Sequence, residues 1–388
     1  MPIKSSTTHN VSMAIAGDGI ASRAMALALA KIGMASTIIA PKTTPLPGGV
    51  QIAPNGWAAL DKLGIADACR DHALALSMMR VLSLNTGFNL VQIPLNDRPR
   101  RTPYTSMTRQ GLHDLLKKLG QKTKIITWKD AAITNVTCPD KTAEITLDDG
   151  DVITADWLIG GDGDRGVCRQ YVAAEPSLQE QNFTRKAFRV VIPAAACPPT
   201  LMGKASNLWL GDGNHRVHYR LADGTLNLVA VMPKAANIED LIHLASQHPQ
   251  GAFLRSYLTE HGDHIYSQPL YQHLSLDAFQ RGRVILCGDA AHPMPPHLAQ
   301  GAGQSLIDAA HLITVFENSG LSLDDDWQAL FTRWAADRNQ QVKAIRRQAE
   351  RAGDIFALDG PMAKLRNLGM ASLGGTLLTD RLESLWAE

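Results

Sequence analysis

The chain has 388 residues, 45% of them hydrophobic and 19% charged, with a formal net charge of +1. This is an ordinary globular composition, with room for one large domain or two interlocked ones. The near-zero charge argues against nucleic acid or an anionic membrane as a main partner. In chain order, residues 11–16 form a short apolar strand that runs into Gly17-Asp18-Gly19-Ile20-Ala21-Ser22. An Ala/Leu-rich helix follows and stops at Gly33, and a second apolar strand covers 36–40. Glycines at the first turn of a β-α-β unit are the context of a dinucleotide fingerprint. Gly17 permits the tight turn, Gly19 lets a pyrophosphate approach the backbone, and Ser22 stands in for the third glycine. The fingerprint expects an acid at the end of the second strand to hold the adenosine ribose. That position is Ala40, between Ile39 and Pro41, and Lys42 is only a donor. Losing one charge-assisted hydrogen bond costs roughly 1.5–3 kcal/mol, so a weakly held dinucleotide is expected.

A loop from Thr43 through Pro45 to Gly49 leads to Gln51 and a helix over 56–63. Strands are expected over 81–94 and 102–108, followed by Arg109 at a helix start. Further strands cover 124–127, 131–138 and 143–147, with a turn at 148–151 into a hairpin over 152–154. A buried strand from Asp156 then ends in Gly160-Gly161-Asp162-Gly163. Strands over 188–192, 208–210, 216–220 and 225–231 read as an antiparallel sheet inserted into an α/β body. Within it His215 and Tyr219 are four apart and share a face, while His218 faces away. Arg216 and Arg220 are the sheet's candidates for clamping a carboxylate.

The most informative stretch is GRVILCGDAAHPMPPHLAQGAGQSLIDA, residues 282–309. A buried strand over 283–287 breaks at Gly288-Asp289, and the chain passes a turn with Pro293, Pro295 and Pro296. It then enters a helix through Gly301-Ala302-Gly303. Asp289 can accept hydrogen bonds from hydroxyls, and the free N–H groups after Gly301 form an anion site. The tail reads as helices over 327–345 and 346–356 and a closing segment from Asp359. Five cysteines, at 69, 138, 168, 197 and 287, show no CxxC pairing. No metal site or disulfide framework is expected, and a reducing, cytoplasmic compartment fits. No apolar run reaches the roughly eighteen residues of a membrane span, and the start MPIKSSTTHN has no signal-peptide core.

These motifs, in this order, resemble those of the class A flavoprotein aromatic hydroxylases, and most closely the salicylate, 3-hydroxybenzoate and 6-hydroxynicotinate hydroxylase branch. The segment GGVQIAPNGWAALDKLGI is similar to the family's GAGIQxxPNxxxALxxLG, TRQGL to its RADL, ADWLIGGDGDRGVCR to its ADxxxGADGxxSxVR, and residues 288–309 to its GDAAHxMxPxxxQGxxxxxxDA. The resemblance implies an α/β fold: a Rossmann-like FAD-binding domain from 1–75, 100–180 and 270–330, an antiparallel substrate sheet from 76–99 and 181–269, and C-terminal helices over 331–388 packing on the FAD domain. It implies FAD at Gly17, Gly19, Ser22, Gln51, Arg109, Asp162, Gly163, Gly288, Asp289, Pro296, Gly301, Ala302 and Gly303. It implies a substrate pocket with His215, Tyr219, His297 and Gln300 in catalytic roles, the His–Tyr pair holding a pKa near neutral to deprotonate a substrate hydroxyl. The reaction implied is hydroxylation of a small phenolic or hydroxypyridine-type ring by O2, with NAD(P)H as co-substrate, through a flavin C4a-hydroperoxide. The partners implied are those small molecules, with the protein a monomer or homodimer. Three alternatives stand beside it: a larger quinone-precursor or polyketide ring as substrate, reduced flavin supplied by a separate reductase, or a non-enzymatic flavin sensor.

Overall fold

The computed structural model describes residues 8–42, 44, 46–95, 102–174, 183–247, 250–271 and 275–387. The polar start, Thr43 and Pro45 of the loop before Gly49, and the expected domain boundaries near 100, 180 and 270 fall wholly or partly outside the described residues. Strand Thr8–Ala16 ends in Met13, Ala14, Ile15 and Ala16, all buried. A continuous apolar run of this kind suits a central parallel strand covered on both faces. It lies between Val152–Gly160 and Ser36–Ile39, parallel to both. Val284–Leu286 adds on one side and Ile126–Lys129 on the other, also parallel. The register sets Ala16 beside Gly160, and Gly160 beside Leu286. Three loops from distant parts of the chain therefore leave the sheet at one level, at the carboxyl ends of its strands. Ligands of open α/β sheets bind at these ends.

The expected hairpin over 152–154 and buried strand from Asp156 are one strand, Val152–Gly160, because nothing between them interrupts pairing. Helix Ile20–Lys31 packs on helix Gly301–Glu317, and both cover the sheet. The tail segments over 327–345 and 346–356 also merge into one 29-residue helix, Gln328–Phe356.

The second sheet runs in the order Tyr266–Tyr271, Phe183–Ile192, Leu226–Pro233, His215–Arg220, Ala205–Leu210, Met78–Ser83, Asn89–Pro94. Its pairings are antiparallel except that of Ala205–Leu210 with Met78–Ser83. One face carries Phe188, Val190, Trp209, Leu228 and Ala230, and helices Ile238–Ser246 and Gly251–Glu260 cover it with Leu241, Leu254 and Leu258. The other face is tied to the parallel-sheet body: Gln51 donates to Ser206 at 2.8 Å, and Asn227 accepts from the Gly49 N–H at 2.9 Å. Helix Gly360–Ala387 lies along strand Asn89–Pro94 and packs its end on Ala53 and Tyr104 through Leu385 and Trp386. The last helix thus spans both parts, whereas the sequence places the whole tail on the FAD-binding part.

Candidate active site

The first turn is tight because it has to pass another strand end. A Cβ on Gly17, at φ +86°, would lie 2.6 Å from the Gly161 carbonyl oxygen. Ser22 is fully buried, and its hydroxyl donates to the Ala16 carbonyl at 3.0 Å and the Gly161 carbonyl at 3.2 Å. The serine pins two strand ends together and does not face a ligand. Asp18 and Arg23 form an ion pair at 2.6 Å, and Arg23 also donates to the His113 carbonyl at 2.5 Å. At Gly19, Gly163 and Gly301 an added Cβ would meet nothing within 4 Å. These three loop positions border open space, as a cradle for a bound dinucleotide requires.

Asp162 accepts from the Cys168 N–H at 2.9 Å and so caps helix Val167–Ala173. A Cβ on Gly166 would run into that carboxylate, which explains glycine where the family pattern has serine. The other carboxylate oxygen of Asp162 is buried without a partner, and burial raises the group's pKa. A hydroxyl donor from a ligand would satisfy it. Arg169 donates to the Ala290 carbonyl at 2.8 Å and joins this motif to the Gly288-Asp289 turn, where Asp289 is exposed. Arg109 opens helix Arg109–Lys122, capped by Thr108, which accepts from the Gly111 N–H at 3.0 Å. Ala40 leaves the strand end without a carboxylate. One stands at the neighbouring strand end, where Asp130 follows Lys129, the register partner of Ile39, and pairs with Lys42 at 2.9 Å. The donor set, the open glycine positions and the orphaned oxygen fit FAD, with the adenosine end the least provided for.

Beneath this row lies a buried polar network that the sequence reading did not single out. Asp308 accepts from Arg338 at 2.8 Å, His292 at 2.8 Å and the Gly288 N–H at 2.7 Å. Burial pushes its pKa up, but His292, Arg338 and these hydrogen bonds outweigh that and hold it at about 2. Arg338 also donates to Gln304 at 2.8 Å. Gln300 accepts from Asn55 at 3.0 Å and from Gln304 at 3.3 Å, so its carbonyl oxygen is committed to the scaffold. His292 and Asp308 lie inside the quoted motif, and their separation of sixteen residues across a turn and a helix hid the contact. Gly303 serves the same scaffold: its position faces Gly56 and lets helices Pro54–Leu63 and Gly301–Glu317 close up. Ala302 and Pro296 are half-buried along the same loop and helix start.

His215 and His297 meet ring to ring at 5.1 Å, with Phe356 of the long helix 5.2 Å from His215. One histidine comes from the sheet and the other from the loop between Asp289 and Gly301. The Nδ1 of each is buried without a partner. Burial, helped by the neighbouring His297, Arg185 and Arg366, drives the His215 pKa well below its usual value. Burial and Arg185 lower His297 to about 4. Tyr219 is pushed up to about 12 by burial, against Arg189 and Arg109. The sequence expects a His–Tyr pair near neutral. The structure instead keeps both histidines neutral and the phenol protonated. It also separates them, since four residues of strand put His215 and Tyr219 roughly 13 Å apart on their shared face. Tyr219 lies over Gly49, where a Cβ would be 2.8 Å from its ring. Gln51 accepts from the Tyr104 hydroxyl at 2.8 Å and donates to Ser206, so it braces this end of the site. Arg189 shares the surroundings of Arg109, Tyr219 and Tyr266 and is a cation on the same sheet face as Tyr219 that sequence reasoning missed. Arg216 sits on the helix-covered face, opposite His215 and Tyr219. Alternation in the strand gave the two faces, but only the pairing shows which of them meets the cofactor loops.

Known proteins match the whole chain. The family described as FAD binding domain matches residues 10–252 and 259–319. The 3-hydroxybenzoate 6-hydroxylase 1 of Aquipseudomonas alcaligenes is 30% identical over 387 residues, covering 96% of this chain and 95% of that protein. The 6-hydroxynicotinate 3-monooxygenase of Bordetella bronchiseptica is 25% identical over 353 residues, covering 86% and 89%. Among solved structures, Klebsiella pneumoniae HpxO complexed with FAD and uric acid is similar in fold, with a TM-score of 0.83 over 97% of each chain at 19% identity. A salicylate hydroxylase substrate complex has a TM-score of 0.77 at 20% identity, covering 100% of this chain and 96% of the other.

Proposed function

The chain belongs to the FAD binding domain family and is an FAD-dependent monooxygenase; from that premise we propose that it hydroxylates a small aromatic acid, a hydroxybenzoate or hydroxypyridine carboxylate, with NAD(P)H as electron donor and O2 as oxidant. The names of its relatives, a 3-hydroxybenzoate 6-hydroxylase and a 6-hydroxynicotinate 3-monooxygenase, support that substrate class. The observation that carries the reading is the meeting of His215 and His297 beside the cofactor loops, each with an unpartnered Nδ1. When bound, FAD supplies the redox chemistry, taking electrons from NAD(P)H and activating O2 for transfer of one oxygen atom to the ring. Gly17, Gly19, Arg109, Asp162, Gly163, Asp289 and the Gly301 backbone would hold it.

A ring hydroxyl activates the aromatic carbon only when it shares or loses its proton. His215, kept neutral by burial, accepts that hydrogen bond at a ring nitrogen, and His297 beside it takes a second proton position. Tyr219, protonated, donates to an oxygen at the far end of the substrate, where Arg189 and Arg109 add positive charge. Phe356, in ring contact with both histidines, excludes water from that end. The test is the yellow FAD-loaded protein with NADH and a panel of hydroxybenzoates and hydroxypyridines. Substrate-stimulated NADH oxidation with hydroxylated product is expected. His215→Ala is expected to lose at least about 100-fold in coupled hydroxylation, the usual scale of general base catalysis. Coupled product formation unchanged in that variant would sink the role of His215.

A further inference from the structure

The face of the seven-stranded sheet turned away from the cofactor loops has its own polar site. Register sets Arg80, Asn207 and His218 side by side across three adjacent strands, with Trp209 and Arg216 in the next row. A cavity of about 120 Å³ opens over Arg80, Asn207, Trp209 and His218, with Thr200 and Gln250 also in its lining; Arg216 lies behind this lining, paired in register with Trp209. Arg216 is 1% exposed, and none of its three guanidinium nitrogens has a hydrogen-bond partner. The Nε of Arg80 is likewise buried and unpartnered. No carboxylate among the described residues pairs with either arginine. His218 does not supply the missing charge: its Nδ1 accepts from Trp209 at 3.1 Å, its Nε2 lies 3.1 Å from the Asn207 amide, and burial keeps its pKa at about 3. Two cations thus flank a neutral, hydrogen-bonding wall inside an apolar layer.

A buried guanidinium without a counter-charge is strongly destabilising. We propose that this cavity binds one small oxyanion, held by Arg80, with the buried charge of Arg216 behind the cavity wall adding to its neutralisation. Arginine forks suit the paired oxygens of a carboxylate or an inorganic oxyanion alike. The site is independent of the aromatic substrate, since it lies on the opposite face of the strand that carries His215 and Tyr219.

The test uses the full chain saturated with FAD, so that the dinucleotide phosphate site is filled. Isothermal titration at fixed ionic strength is run with inorganic phosphate and, separately, with acetate. At least one of them is expected to bind saturably, one per chain. Phosphate alone indicates a tetrahedral ion, and acetate alone or both indicates a site open to carboxylates. R80Q is expected to weaken binding at least tenfold with FAD affinity unchanged, and R216M to abolish it. R80Q, at a partly exposed position, carries the test if R216M fails to fold. Absence of saturable binding of either anion to the native protein overturns the proposal, as does native affinity in R80Q.

Discussion

Ala40 sits where a carboxylate would hold the adenosine ribose, and the neighbouring Asp130 is shared with Lys42 through an exposed ion pair. Such pairs are weak, so Lys42 and Asp130 are both able to turn toward a ligand. Ala40→Glu is expected to tighten FAD binding by one to two decades, the equivalent of one charge-assisted hydrogen bond of about 1.5–3 kcal/mol. Titrating apoprotein with FAD by flavin fluorescence measures this, and an unchanged affinity would show that the ribose is already held. At this scale the glycines and acids of the motifs were legible, because backbone geometry and strand ends demand them. Their tasks were less so. Ser22 and Gly303 close packing contacts, Asp162 caps a helix, and Gln51 braces Tyr104 and Ser206. A motif records that a residue type is needed, and the partner that needs it lies elsewhere in the chain.

Helix Gln328–Phe356 is the element that presses the His297 loop into place. At Gly353 a Cβ would lie 2.5 Å from the His297 ring. Alanine in a helix interior ordinarily gains about 1 kcal/mol over glycine. Here Gly353→Ala is expected to raise the KM for the aromatic substrate without raising the melting temperature, because the ring has to move. Steady-state kinetics beside a thermal melt decides it; a higher melting temperature with native KM would mean that the ring has slack. The helices and central strands were legible from their periodicity. The merging of the two tail segments was not, since charged helical faces look alike whether a helix continues or restarts. The choice of sheet face was also hidden, because alternation is symmetric and only tertiary pairing breaks the symmetry.

For the molecule as a whole, buried titratable groups set the acid limit. His215 and His297 are neutral when folded, with pKa values below the ordinary 6.5, so the unfolded chain binds more protons between about 4 and 6.5. Stability therefore rises with pH across that window and is flat above it. For His297 the full shift is worth about 3 kcal/mol. Asp308 is also shifted down, to about 2, but, against burial, through stabilisation of its charged form by His292 and Arg338, and that contribution is lost as pH falls from about 4 toward 2. Urea melts across this range are expected to show a loss beginning near pH 6.5. In His297→Gln that first limb is expected to become shallower, with the part due to His215 and His218 remaining, and a native-like slope in the variant would remove His297 from the account. The two-part architecture was readable from the change of pattern near residue 188. The bridging role of the last helix was not, because its apolar residues do not say which surface they meet.

The row of Ala16, Gly160 and Leu286 draws on the first, middle and last third of the chain. During synthesis the cradle cannot exist until the segment through Gly303 has left the ribosome, and until then the 158–160 end of the Val152–Gly160 strand has an open edge. Long-range parallel pairing of this kind is slow and leaves such edges exposed to aggregation. A cradle drawn from all three thirds of the chain can hold flavin in full only once it is assembled, so bound flavin stabilises the finished protein. Extra riboflavin during expression is therefore expected to slow loss of the native state, and co-expressed chaperones to act on the earlier, vulnerable stage.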